Sequence, residues 1–383
     1  MYINFKKSIL ACIILSSVSS AFAITEQIDK SISYEVKDYS SANYNLSFDQ
    51  NDKKLSKEQI NILEEYLGEH VSIKKDIGPS HKRHPLVFLV KYIYGMDYNN
   101  LYDDKFIKFV KEKQKQNGLI ETGVLDPVTW FSVFPQPTEW KKDTIQTSLT
   151  NWRNIVAKHS THKNDKMIVI NVPSQHLFLY QRTEKEYKLL LKSKVIIGKT
   201  KNQTPIKDFE IISLKFNPTW TPTDNILARN LFDDKGQLNV EWIESHGLVL
   251  FDEQGNERPL SDLELIRNPR FMQPSGDDNA LGNLKFETTS KDDIYLHDTN
   301  ERFYFKHNTR LYSSGCIRVQ EYFELAKNLS TLPEKKMLEI IDDGETKYSP
   351  IKKAPVYLDY SQVYFKDNGE PTFFPDIYSK NKD

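Results

Sequence analysis

The feature that most constrains this fold is a change of hydrophobic period near residue 167. Before it, "HPLVFLVKYIYG" and "DDKFIKFVKEKQKQNGL" space their apolar residues for helices. After it, "MIVINVPSQHLFLYQ" and "YKLLLKSKVIIGK" alternate with a period of two, with turns at Pro173-Ser174 and near Thr183 to Lys185. "FEIISLKF" (209–216) reads as another strand. "VYLDYSQVYFKDNGEPTFF" reads as a closing hairpin turning at Asp367-Asn368-Gly369. Helices followed by strands predict a multidomain α+β chain with a β-rich C-terminal half.

Punctuation divides the chain further. Residues 1–23 read as a signal peptide: Lys6 and Lys7, the apolar run Ile9 to Leu15, then Ala21-Phe22-Ala23 as the cleavage site. A retained anchor, or a lipid-attachment box ending at Cys12, are the alternatives. Residues 24–83 are polar, with a helix expected over "LSKEQINILEEYLGE" (55–69). Residues 84–135 read as a small helical unit, where Gly118 suits a C-cap, Asp126 an N-cap and Pro127 a first helical position. Pro135 and Pro137 break the chain. Residues 136–165 then form a connection with a helix over "TSLTNWRNIVAKH". The β-rich part takes 166–383, interrupted at 217–275 by "NPTWTPTDNILARNL" and "VEWIESHGLVLFDEQGNE". That interruption is too long for a simple loop and reads as a subdomain or lid.

Beyond residue 23 no apolar stretch approaches the roughly 20 residues of a membrane span. Losing Lys6 and Lys7 from 52 basic residues leaves 50 against 53 acidic ones. This balance gives no reason to expect nucleic acid as a partner. The expectation is an exported protein without an integral span after cleavage.

Of two cysteines, only Cys316, in "YSSGCIRV", survives signal cleavage. An unpaired cysteine in an exported chain is intermolecular, buried and inert, or reactive. A reactive thiol needs a base or a positive environment, because the thiolate is the nucleophile. His297, in "IYLHDT", supplies either from a strand end. Gly315 allows close backbone approach, and N–H groups near it suit an oxyanion hole. From these residues alone, a buried core cysteine stands beside the nucleophile. The pairs His81/His84 and His159/His162 lie in polar sequence without cysteine or carboxylate spacing, so no metal is expected. "DDKGQLNVEW" lacks the EF-hand spacing, and no phosphate-cradling loop appears.

The wider pattern resembles the L,D-transpeptidases. "YLHDT" followed by "SSGCIRV" is similar to that family's histidine and Ser/Thr–His/Ser–Gly–Cys–apolar–Arg motif. "VIIGKTKNQTPIKDFEI" resembles its upstream Gly and Thr-Pro segment. "NPTWTP…LARN" and "ESHGLVL" resemble the lid of the large periplasmic branch, and "ALGNLKFE" its strand before the histidine. "FVKEKQKQNGLIETGVLDPVTW" resembles a peptidoglycan-binding-like helical domain, and a plain helical bundle is the alternative there. The likeness runs in order over roughly 85–375.

The resemblance implies a β-rich L,D-transpeptidase catalytic domain with an inserted lid, preceded by the helical domain. It implies Cys316 as nucleophile, His297 as base, and Gly315, Ser314 and Cys316 as the oxyanion loop. Arg318, Tyr295 and Trp220 take substrate-side positions, with surface or core packing as their plain readings. Ser314 stands where many relatives carry a second histidine, so assistance from that position is absent. The implied partners are peptidoglycan stem peptides as donor and acceptor, with glycan strands expected at 84–135, in the periplasm and without a cofactor. An L,D-carboxypeptidase or amidase-like hydrolase would use the same site. A non-catalytic wall-binding scaffold is the reading of another class.

Overall fold

The computed structural model describes residues 76–96, 99–133, 138–184, 186–292, 294–365 and 371–380. The expected signal peptide and the helix at 55–69 lie outside the described residues. Helices α1 (Pro85–Ile93), α2 (Asp104–Gln116) and α3 (Pro127–Val133) bury Val87, Phe88, Leu89, Phe106, Val110 and Trp130 in a core of their own. The Asp-Pro signal begins α3 as expected: Asp126 Oδ1 accepts from Thr129 N–H at 2.9 Å. Asp103 caps α2 in the same way, accepting from Phe106 N–H. The connecting helix α4 (Thr138–Ser160) starts earlier than the expected 147, directly after the proline break. No helix among the described residues is long and apolar enough to cross a membrane.

Period-two sequence makes one sheet in which β10 (Leu311–Ser313), β3 (Tyr187–Gly198), β11 (Ile317–Val319), β9 (Leu296–His297), β8 (Leu284–Thr288), β4 (Phe209–Phe216), β12 (Lys347–Asp359), β1 (Lys166–Asn171) and β2 (His176–Arg182) lie side by side in that order. Its first strands match the alternation: β1 (Lys166–Asn171), β2 (His176–Arg182), β3 (Tyr187–Gly198) and β4 (Phe209–Phe216). β3 pairs with β2 early and with β11 late, so the row closes on itself. Inside lie Ile168, Ile170, Leu177, Leu179, Leu214, Phe216 and Val356. Each such buried side chain contributes about 1.5–3 kcal/mol.

The closing hairpin is smaller than expected. Residues 356–359 belong to β12 (Lys347–Asp359), which pairs parallel to β1 and antiparallel to β4. Only β13 (Val363–Phe365) and β14 (Pro371–Phe373) form the hairpin, and its turn lies outside the described residues. Alternation marks Val356 and Leu358 as buried but cannot say which neighbour pairs with them.

The lid departs from the sheet after β4 and returns at β8 (Leu284–Thr288). It contains α5 (Asp224–Asn230), α6 (Val240–Ser245) and a small sheet in which β5 (Val249–Phe251) lies between β6 (Glu257–Arg258) and β7 (Arg270–Met272). Trp220, Ile243, Leu250, Phe271 and Leu281 form its core, so the unit runs past the expected end at 275. Trp220 and Gln273 exchange backbone hydrogen bonds of 2.9 and 2.7 Å, which stitch the two ends of the insertion together.

Candidate active site

Three adjacent strands make the floor of the site. β8 and β9 (Leu296–His297) run antiparallel, with Lys285 opposite His297. β9 and β11 (Ile317–Val319) run parallel, with Arg318 opposite His297 and Ile317 opposite Leu296. Strand alternation then sorts the side chains. Phe286, Leu296, Ile317 and Val319 enter the core. Lys285, His297 and Arg318 take the other face, and Tyr295 and Cys316 precede the latter two by two residues.

Cys316 ends the loop between β10 (Leu311–Ser313) and β11. The loop does not lead directly into a helix. Instead Ile317 and Val319, β-branched and fully buried, continue as a strand, and the helix α7 (Tyr322–Leu329) starts later. No helix N-terminus therefore serves the thiol. The loop is braced from within: Ser313 Oγ donates to the Cys316 carbonyl at 2.6 Å and accepts from Gly315 N–H at 3.1 Å. Gly315 has φ +129°, and a Cβ there would stand 3.3 Å from Ile294 Cδ1. The position needs glycine on both counts. Its N–H is committed to Ser313 in this conformation.

A cleft of about 200 Å³ opens over this floor, between the lid and the sheet. Trp220 and Arg229 line it from the lid, and Tyr295, His297, Cys316 and Arg318 from the strands. Ser314 also lines it and is exposed. Gly315 is the one expected site residue that does not face the cleft; it is buried behind Ser314. Trp220 has both roles, lid core and cleft wall.

The charges are unevenly placed. Burial, followed by the Arg318 guanidinium and then Lys285, pulls His297 down to about 3. Burial pushes the Cys316 thiol up, opposed by hydrogen bonds from the backbone and side chain of Tyr295 and by the charges of Lys285 and Arg318. Both shifts favour the uncharged forms, a thiol and a neutral imidazole lining one cleft. Arg318 donates to Glu301 at 2.6 Å. Its Nε and Nδ1 of His297 are buried without a partner among the described residues. Buried polar atoms ordinarily have one, so both are poised for a bound group.

The expected catalytic residues come together, and other residues support them. Thr204, in the Thr-Pro segment, braces the Gly315 carbonyl at 2.8 Å. Tyr378, near the C-terminus, accepts from Thr204 N–H. Arg229 reaches across to Asn202 at 2.7 Å and ties the lid to the same loop. Thr204, Asn202 and Arg229 lay in stretches that the sequence marked, and Tyr378 did not.

Residues 165–357 match the family model described as the L,D-transpeptidase catalytic domain (YkuD). A Haemophilus influenzae protein, assigned provisionally as an L,D-transpeptidase, is 33% identical over 223 residues, covering 56% of this chain and 44% of that one. The chain thus spans less than half the length of this relative. Among solved structures, Mycobacterium tuberculosis L,D-transpeptidase 1 matches 51% of this chain and 61% of its own at 11% identity and a TM-score of 0.23. A Mycobacterium smegmatis L,D-transpeptidase matches 51% and 58% at 12% identity and 0.24. Superpositions this loose carry no argument about the site.

Proposed function

Because this chain belongs to the L,D-transpeptidase catalytic-domain family, we propose that it forms 3→3 crosslinks in peptidoglycan through a thioester on Cys316. The carbonyl that follows the third, diaminopimelate-type residue of a tetrapeptide stem enters the cleft. Neutral His297 takes the thiol proton as sulfur attacks. The oxyanion is met by N–H groups of the Ser314–Cys316 loop, with Gly315 free to join only after releasing Ser313. The C–N bond breaks, and the terminal D-alanine leaves as an amine carrying the proton from His297. The side-chain amine of a second stem then attacks the thioester, its proton passes to His297, and the thiol is restored. No step needs a metal or a cofactor.

The observation that carries this reading is the pairing of β9 with β11. It puts His297 opposite Arg318 and Cys316 two residues before Arg318 on the same side of the sheet, so that His297 and Cys316 line one cleft under a lid that can shed water from the acyl-enzyme. Tyr295 at the thiol, Trp220 on the lid, and the unpartnered nitrogens of His297 and Arg318 are the substrate-side groups. Export by residues 1–23 to the periplasm and glycan contact through 84–135 belong to the same proposal. A carbapenem, offering a strained carbonyl, should acylate the same sulfur.

Purified protein incubated with tetrapeptide stems should give a dimer with a 3→3 bond by mass spectrometry. Cys316→Ala should give none while keeping its thermal stability within about 1–2 kcal/mol, below the cost of a large core truncation. Tripeptide alone would select the hydrolytic reading, and unchanged stems the scaffold. An alanine variant that still crosslinks would remove Cys316 from the chemistry.

A further inference from the structure

We propose that Lys285 is a positioning residue for the nucleophile: it acts through Tyr295, holding the phenol ring against Cys316 and setting a positive charge behind it. This rests on the reading of Cys316 as the nucleophile. Lys285 lies in "ALGNLKFE", a stretch to which the mechanism above gives no task. On β8 it stands opposite His297, on the face that carries the site. Its ammonium is 4.2 Å from the centroid of the Tyr295 ring, well inside cation–π range. The side chain is 18% exposed, so solvent screens the charge only in part.

The ring is thus held between two groups. Lys285 covers it from β8, and Tyr295 hydrogen-bonds the Cys316 sulfur from β9. An ammionium on the ring draws electron density from the phenol. That strengthens its O–H as a donor and favours charge on sulfur. The same ammonium disfavours a cation on His297, so the imidazole rests neutral. With the imidazole neutral, the positive charges near the thiol come from Lys285 and Arg318.

The surrounding charges come from every packed element. β8 contributes Lys285 and Glu287, which pair at 2.9 Å. β9 contributes Tyr295 and His297. β11 contributes Arg318, paired with Glu301. Arg229 of the lid and Asp292 line the cleft. Glu287 and Glu301 each offset part of the cation they touch. Lys285 differs from Arg318 in lying against the ring that touches the sulfur.

The test is the rate of carbapenem acylation of Cys316 against pH, with intact-mass stoichiometry, for Lys285→Met, Lys285→Arg and Tyr295→Phe. Lys285→Met keeps the aliphatic stem and loses the charge. We expect acylation about tenfold slower near neutral pH, converging on wild type at alkaline pH, because a thiol with less positive charge near it yields less thiolate. Stoichiometry should stay at one adduct per chain. Lys285→Arg should restore most of the rate. In a Tyr295→Phe background, Lys285→Met should cost less than about twofold, because the relay is already cut. A Lys285→Met profile that overlays wild type, or a deficit equal at every pH, overturns the proposal. So does a stoichiometry that falls with the rate, which marks a structural role. If Lys285→Met does not fold, Lys285→Gln serves in the same assay. Wild-type protein acylated anywhere but Cys316 would fail the nucleophile reading itself, whereas an adduct on Cys316 with a flat variant profile fails this inference alone.

Discussion

The Thr204 hydroxyl donates to the Gly315 carbonyl at 2.8 Å and accepts from Gly198 N–H at 3.0 Å. One small side chain therefore ties the Cys316 loop to the end of β3. Gly198 leaves room for this: a Cβ there would fall 2.0 Å from the Asn202 carbonyl oxygen. Tyr378 completes the knot, its hydroxyl donating to the Gly198 carbonyl at 2.8 Å. Thr204→Val keeps the shape and strands both buried groups. It should cost about 1–3 kcal/mol in thermal or denaturant unfolding. Acylation of Cys316 should slow as the loop loosens, and Thr204→Ser should recover both losses. A valine variant with wild-type unfolding and acylation would show that the knot holds nothing.

The protonation states set the pH behaviour. His297 is depressed from an ordinary 6.5 to about 3, while Cys316 is raised. Neutral imidazole is then available across the working range. The acylation rate should show no step near pH 6.5 and should climb toward alkaline pH as thiolate appears. Stability responds in the opposite part of the scale. The unfolded chain binds a proton at His297 near 6.5, and the folded chain resists until about 3. The unfolded state therefore gains stability as pH falls through that window, and the fold weakens there. Unfolding curves for wild type and His297→Gln should converge below pH 6.5. An acylation step near 6.5 that disappears in His297→Gln would mean the imidazolium does form.

The sequence made some of this legible and concealed the rest for physical reasons. Period-two runs located β1 to β4, because one buried face imposes alternation on every residue of a strand. Cys316 stood out as the one cysteine beyond the expected signal peptide, and His297 through the wider pattern of motifs around it. Lys285 was invisible as more than a strand residue. Alternation puts it on the polar face, but nothing local says that a lid covers that face. Tyr378 was invisible for a related reason: it meets Gly198 across 180 positions, and a single hydrogen bond leaves no periodic trace. The parallel pairings of β12 and β11 were hidden too, since register between distant strands depends on neighbours that the strand's own sequence does not name.

A second long-range contact joins the helical unit to the strand that leads to the nucleophile. Asn308 accepts from Ile120 N–H at 2.8 Å, donates to its carbonyl at 3.0 Å, and donates to Asp126 at 3.3 Å. The next positions continue the anchor: Thr309 donates to Asp126, and buried Arg310 donates to the carbonyls of Gln175, Val195 and His307. Asn308→Ala removes the clamp, including its hydrogen bond to Asp126 Oδ2, and leaves in place the Thr129 N–H that Asp126 Oδ1 accepts at the start of α3. It should cost about 1–3 kcal/mol and let the helical unit unfold ahead of the sheet. Limited proteolysis should then release the sheet domain faster than in wild type. Equal cleavage rates and a single unchanged transition would show that the clamp is dispensable.

Gly282, in "ALGN", lies against Asp298, the residue after His297. It has φ +58°, and an added Cβ would stand 2.3 Å from Asp298 Oδ2, 2.5 Å from Cγ and 2.7 Å from Cβ. Contact with Cβ means that rotating the carboxylate cannot clear the clash. The backbone at Asp298 must move instead, and His297 moves with it. Asp298 has little freedom to yield, because it accepts from Asn283 N–H at 3.1 Å and pairs with Arg302, which in turn donates to the Gln320 carbonyl at 2.9 Å. Gly282→Ala therefore carries two costs, about 1–3 kcal/mol for the left-handed backbone and about 1–3 kcal/mol for overpacking. Acylation should fall more than about tenfold even in chains that remain folded, since an ångström of misplacement in a general base is costly. Adding Asp298→Ala vacates the space that the new methyl needs. It should return part of the thermal stability while leaving activity low, because the base loses its anchored neighbour. If Gly282→Ala melts and acylates like wild type, the packing of Gly282 on Asp298 has no part in placing His297.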